Sequence, residues 1–191
     1  MSVTQNMNKT RLIMLISINA ALYTSVGYLT YAGIVVQGVR FWPAVIVPAV
    51  FSVLFGPVVG GVGAAIGIFL SDMLSHGLLF LSLSVGVTSN FAAFYFLGYF
   101  MRDYSLKKYL IVSTVSLLIG SAIIGVGVWG WSQFFTLPGS NVVTPIPLVG
   151  AVTTFVWTFI SEIPFLLVLV PPIVEAVKKA IPHITREELI Q

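Results

Sequence analysis

Residues 40–75 read RFWPAVIVPAVFSVLFGPVVGGVGAAIGIFLSDMLS, and the only charges in the stretch are Arg40 and Asp72. It is broken near its middle by Gly56-Pro57. Proline lacks a backbone donor and suits the first turn of a helix, so FGP predicts a tight turn that opens a new helix. The halves 43–55 and 57–75 are short or marginal for a hydrocarbon core of about 30 Å, which takes about 20 residues of helix. Whether this stretch crosses a bilayer once or twice decides the topology of all that follows.

The flanks supply the answer. The opening MSVTQNMNKTR is polar and basic, and an apolar segment follows from Leu12 to about Val39. A signal peptide would carry an apolar core of about 7–15 residues. This one is longer and predicts an uncleaved first helix over 12–31, then an extracytoplasmic loop. Beyond residue 75 come spans at 79–101, 109–131 and 148–173. They are separated by a basic connector MRDYSLKK (101–108) and a polar one over 132–147, and the polar tail EAVKKAIPHITREELIQ is expected to be helical in part. With two crossings in 43–75, Lys9, Arg11, Arg102, Lys107, Lys108, Lys178, Lys179 and Arg186 all face the cytoplasm and only Arg40 lies outside. With one crossing, the 102–108 cluster would fall opposite Lys9 and Arg11, against the positive-inside tendency. The expected fold is therefore an all-α integral membrane protein, a single domain of six transmembrane helices (12–31, 43–55, 57–75, 79–101, 109–131, 148–173) with both termini cytoplasmic.

Composition agrees. Of 191 residues, 58% are apolar and 8% charged, where a soluble domain carries about 25% charged residues. Mean hydropathy is +1.03. This leaves little room for a soluble enzyme. The absence of cysteine removes disulfides and thiol chemistry, and two histidines cannot assemble a conventional zinc cluster. The net charge of +3 is read as topology rather than nucleic-acid affinity. There is no GxxxxGK[ST] phosphate loop and no stretch for a nucleotide-binding domain, so any ATP-driven activity requires another subunit.

Small residues form rows in the third span, Gly56, Gly60, Ala64 and Gly63, Gly67, which predict close helix packing within the bundle. In the first span, Ala20 with Thr24 and Ala21 with Ser25 form a smooth stripe that can dock a partner helix. Three charges lie away from the cytoplasmic clusters. Asp72, ~5 Å from the outer end of its helix, can pair with Arg40 or meet a ligand in an outward cavity, and the sequence leaves both open. Glu162, ~16 Å from the inner end of the last span, lies near mid-membrane, two residues before Pro164, where a kink is expected. Asn19 lies at similar depth and is expected to pair with it; a proton site is the alternative. Trp42 and Trp131 read as interfacial anchors. Trp129, with Tyr28, Tyr31, Asn90 and Trp157, can line a pocket whose rings stack on a planar ligand. His76 reads as a loop or interfacial residue. Ser161, Glu162 and His76 do not make a hydrolytic triad, and no catalytic or metal set is expected.

The order of these features, NAALYTSVGYLTY in the first helix, VRFWPAVIVPAVFSVLFGPVVGGVGAAIGIFLSDMLSHG after the first loop, then NFAAFYFLGYF, resembles the substrate-binding S component of energy-coupling factor (ECF) vitamin transporters. The resemblance spans essentially the whole chain, and residues 40–72 carry its most specific part. It implies a plasma-membrane carrier that binds a vitamin near the outer face and works with a coupling membrane subunit and two ATPase subunits. It also implies a lid at about 32–41 that includes Arg40, and a docking motif on Ala20-x-x-x-Thr24 or Ala21-x-x-x-Ser25, where the second alanine of the family's motif is replaced. The binding residues expected are Tyr31, Arg40, Asp72, Asn90, Trp129, Trp157 and Glu162, with a planar heterocycle such as a flavin, thiamine or deazapurine as ligand. The alternatives are a stand-alone carrier coupled to protons through Glu162 and a membrane assembly protein without transport.

Overall fold

The computed structural model describes residues 9–181. They form α1 (Lys9–Leu29), α2 (Ile46–Phe55), α3 (Pro57–Ser75), α4 (Leu79–Phe100), α5 (Leu106–Ser132) and α6 (Leu148–Ala180). All but α2 are long and apolar enough to cross a membrane. In hydrocarbon each backbone N–H and C=O must be bonded within the protein, and helices achieve this segment by segment. The chain is thus an all-α, multi-pass membrane protein.

The predicted boundaries hold closely at α3. Gly56 adopts φ 93° and ψ −174°, and Pro57 is the first residue of the next helix, as the FGP turn requires. The turn is tight enough that a Cβ on Gly98 of α4 would stand 2.7 Å from Pro57 Cα. Elsewhere the spans shift. α5 starts at Leu106 because the Ser105 hydroxyl accepts the Lys108 amide at 3.3 Å, a cap that the basic connector concealed. α6 runs on to Ala180 and stays helical through Pro164, Pro171 and Pro172. The remaining tail, with Arg186, lies outside the described residues. α4 contains a π-helical segment, Ser82–Val87, an irregularity common at functional sites.

Cross-helix contacts fix the directions. Asn19 of α1 meets Val59 and Gly60 at the start of α3, Thr24 meets Gly67, and Tyr28 meets Leu74 near its end. So α1 and α3 run parallel. α4 is antiparallel to α3, with Gly98 beside Pro57 and Ser82 on Asp72. α5 opposes α4 through Ser116 and Ala93, and α6 opposes α5 through Tyr109 and Leu166. α2 descends between them and is buried along Pro48, Ala49, Val50, Ser52, Val53 and Leu54; its ~15 Å length is extended by a 3₁₀ turn, Pro43–Val45. One end of the bundle thus gathers Lys9, Arg11, Arg102, Lys107, Lys108, Lys178 and Lys179. There the Lys178 ammonium lies 4.4 Å from the Tyr104 ring centroid, and burial followed by the nearby Glu175 charge pushes the Tyr104 hydroxyl up from its ordinary pKa.

The expected glycine packing is realised within the chain. A Cβ on Gly63 would overlap the Asn19 side chain, one on Gly60 would overlap Ser52, and one on Gly67 would press on Tyr23 and the Ala20 carbonyl. Without a hydrophobic force between helices in lipid, this backbone approach holds α1, α2 and α3 together. Large apolar side chains such as Ile13, Leu74, Phe80, Val126, Ile160 and Val168 remain exposed, as a lipid-facing surface requires.

Candidate functional site

At the end opposite the basic cluster, the loop after α1 folds into a hairpin, β1 (Val35–Val36) paired antiparallel with β2 (Val39–Arg40). Its turn is Gln37-Gly38, with φ 49° and 81°, the two positive-φ residues that a tight hairpin needs. The hairpin is strapped down. The Thr154 hydroxyl donates to Gln37 Oε1, Trp157 Nε1 donates to the Val39 carbonyl at 3.1 Å, and Gly38 packs against Pro138.

Beneath it lies a cavity of about 870 Å³ counting its open mouth, reached by residues of α1, the hairpin, α3, α4, α5 and α6. Apolar and aromatic side chains make most of the wall. Tyr23 is fully buried and meets Trp42 and Phe94 edge to face at 6.1 and 6.4 Å between centroids.

Two polar groupings on the wall are complete. Arg40 Nη2 donates to Asp72 Oδ1 at 2.7 Å, and its Nη1 reaches the Ser71 and Ser75 hydroxyls. The guanidinium also stacks 4.3 Å from the Trp42 ring centroid. Ser82 satisfies the other Asp72 oxygen at 2.8 Å, from the π-helical turn, and Gly86 of that turn leaves 2.7 Å between the place of a Cβ and Asp72 Oδ2. In the second grouping, the Tyr23 hydroxyl donates to Asn90 Oδ1 at 2.6 Å, and Asn90 Nδ2 donates to the Gly86 carbonyl at 2.9 Å.

Three other polar groups on the wall are incomplete. Trp42 Nε1 and Ser121 Oγ are buried with no hydrogen-bond partner. Glu162, 7% exposed, makes no hydrogen bond or ion pair among the described residues. Burying such groups unpaired costs about 1–3 kcal/mol each, more for a charge, so each is a place where a ligand's polar atoms gain.

Of the residues singled out in the sequence, Arg40, Asp72, Asn90 and Glu162 line this cavity together. The Arg40–Asp72 pair forms and also faces the cavity, so the two readings of it are compatible. The expected Asn19–Glu162 pair does not form: Asn19 Nδ2 is spent on the Val59 and Gly60 carbonyls at 2.9 and 3.3 Å, because close glycine packing brings α3 to it first. Trp157 grips the hairpin from outside the cavity wall. Trp129 does not line the cavity; its carbonyl accepts from Ser132 and Gln133 at the end of α5. Tyr31 is 45% exposed in the loop and Tyr28 turns to the Leu74 carbonyl. Trp42 is no interfacial anchor: at 4% exposure it lies in the core, since the 3₁₀ turn that follows swings it inward. Trp131 pins the connector, donating to the Thr136 carbonyl at 2.9 Å. His76 sits at the mouth with Nε2 3.6 Å from Asp72. Missed from the sequence were Tyr23, Phe94, Gln37 and Ser121, whose residue types carry no signal until helix rotation is known.

The two faces of the α1 stripe separate. Ala20 is buried and Thr24 bonds the Ala20 and Gly67 carbonyls at 2.9 Å each, so this face is consumed by α3. Ala21 and Ser25 are exposed.

No group of three His, Asp or Glu side chains among the described residues could hold a metal ion, and Ser161 bonds only the Thr158 carbonyl. Neither a curated protein nor a solved structure matches the chain. The family model of the ECF-type riboflavin transporter, S component, matches residues 7–179, which takes in every helix and the hairpin. With a strapped hairpin over an aromatic cavity in an all-helical membrane bundle, the chain belongs to the S components of ECF-type riboflavin transporters, a family of vitamin-binding membrane subunits.

Proposed function

We propose that this chain binds riboflavin, or a flavin close to it, in the cavity beneath the 35–40 hairpin and presents it for import across the plasma membrane. One observation carries the reading: a cavity open at its mouth and walled by Tyr23, Trp42 and Phe94 keeps buried polar groups unpartnered on Trp42, Ser121 and Glu162. Flat aromatic walls suit a flat heterocycle, and its carbonyl and N–H edge supplies the missing partners. Arg40, Asp72 and Asn90 then shape the mouth and wall, and Trp157 holds the lid.

The helix directions support six crossings, with α2 and its 3₁₀ turn as the second. The basic end then faces the cytoplasm by the positive-inside tendency, and the cavity opens outward. The energy for release comes from a coupling membrane subunit and two ATPase subunits, the partners that membership of the ECF family implies. The exposed Ala21-Ser25 face of α1 is the docking surface for the coupling subunit, since Ala20 and Thr24 are already used.

Native mass spectrometry of the detergent-purified protein tests the reading. The expected result is a one-to-one complex with a retained or added flavin. Absence of any bound flavin, at riboflavin concentrations well above the protein's, would overturn it.

A further inference from the structure

The end of the bundle opposite the cavity carries charge that the chain itself does not neutralise. The 101–105 connector and the adjoining ends of α5 and α6 hold Arg102, Lys107, Lys108, Lys178 and Lys179 against two carboxylates, Asp103 and Glu175. Tyr104 draws this corner together. The Lys178 ammonium of α6 lies 4.4 Å from its ring centroid, and its ring lies 6.1 Å from that of Tyr109 in α5, whose hydroxyl donates to the Leu166 carbonyl at 2.9 Å. Among the described residues none of the five cations forms an ion pair with either carboxylate, and the first turn of α5 has no acidic residue. At the other end, by contrast, Arg40 is closed on Asp72 at 2.7 Å.

Next to these cations the surface belongs to lipid. Leu110, Ile111 and Leu118 follow Lys107 on one face of α5, three, four and eleven residues on, and all four are exposed. Thr114 on the same face spends its hydroxyl on the Leu110 carbonyl at 2.7 Å, so the stripe shows acyl chains no unpaired donor. Arg102 lies 5.3 Å from the ring centroid of Tyr99, itself exposed, an aromatic ring and a cation together as at the boundary between headgroups and hydrocarbon. We propose that this corner binds an anionic phospholipid of the leaflet it faces. Lys107 and Lys108 take the headgroup phosphate, the remaining cations set the field around it, and the stripe from Leu110 to Leu118 takes an acyl chain. A free phosphate ion or a soluble acidic protein would use the charges and leave the stripe unused. A phospholipid uses both, because charge and stripe are continuous on one helix face. Each Lys or Arg near an anionic membrane surface strengthens binding about fivefold. The proposal stands apart from the cavity and its ligand.

The test is thermal unfolding of the purified full-length chain in neutral detergent with added phosphatidylglycerol or phosphatidylcholine, since a ligand of the folded state raises the midpoint. Phosphatidylglycerol is expected to raise it saturably and phosphatidylcholine to move it far less. Lys107→Gln should raise the half-saturating concentration about fivefold, and Lys107→Gln combined with Lys108→Gln at least about tenfold. Where the double variant does not fold, Lys107→Gln at its exposed position carries the test alone. Arg11→Gln is the control. It removes a cation at the same end of the bundle, on α1, which packs against α2 and α3, and should change half-saturation less than about twofold if the lipid has a local site. Equal shifts with the two lipids, a half-saturation unmoved in Lys107→Gln, or an equal loss in Arg11→Gln would each overturn the proposal. So would inorganic phosphate reproducing the phosphatidylglycerol shift. None of these outcomes touches the flavin reading.

Discussion

The α1–α3 seam and the cavity bury polar residues a few turns apart in one bundle and treat their donors differently. In the seam, glycines let the backbones touch and the donors are spent: Asn19 Nδ2 on two carbonyls, with only its Oδ1 left unpartnered, and the Thr24 hydroxyl on the Gly67 carbonyl; beside the seam, Ser52 of α2 donates to the Phe94 carbonyl at 2.9 Å. Across the cavity, the Trp42 and Ser121 donors are just as buried and have no partner, and the Glu162 carboxyl makes no hydrogen bond among the described residues. Polar groups inside a membrane are costly unless paired. Where they are paired they hold helices together, and where they are left open the chain gives up stability that the proposed ligand would restore on binding.

The contrast predicts a graded set of responses. Arg40→Ala should have the largest effect: it strands Asp72 at the edge of the cavity and should cost about 3–5 kcal/mol of stability, read as the midpoint of thermal unfolding in detergent, together with loss of ligand binding. Gly63→Ala should follow, since its methyl overlaps Asn19 and overpacking costs about 1–3 kcal/mol; here affinity for ligand should fall only as far as the fold loosens. Trp157→Phe removes the bond to the Val39 carbonyl, worth about 0.5–1.5 kcal/mol. It should act mainly on the lid, raising the ligand's dissociation rate up to about tenfold in a stopped-flow chase. Ser121→Ala should change the stability of the empty protein least, within about 0.5 kcal/mol, yet weaken ligand binding. If it destabilises the empty protein as much as Ser52→Ala does, the two regions are alike and the contrast is wrong.

The seam was easier to read in the sequence than the cavity. Gly56-Pro57 and the glycine rows carry their structural meaning in their identity, because only a small residue allows backbone contact and only Gly and Pro make that turn. Arg40 and Asp72 were legible for a similar reason, since isolated charges in so apolar a stretch need each other or a ligand. The face of α1 turned inward was not legible: Ala20-Thr24 and Ala21-Ser25 have the same sizes at the same spacing, and the choice is made by Gly67 on another helix. The π-helical turn at Ser82–Val87 has no signature in residue type; in it Ser82 bonds Asp72 and Gly86 lies too close to Asp72 Oδ2 for a side chain. Trp42 and Trp129 looked alike as aromatic residues near span ends, and the 3₁₀ turn after the hairpin puts only the first into the core.

That difference between two tryptophans gives the most direct measurement of where the ligand sits. Riboflavin titrated into the purified protein should quench tryptophan emission with one-to-one saturation. Because Trp42 lines the cavity and Trp129 does not, Trp42→Phe should remove most of that quenching and Trp129→Phe little of it. Saturable binding with quenching that persists in Trp42→Phe and disappears in Trp129→Phe would place the ligand elsewhere and contradict the account.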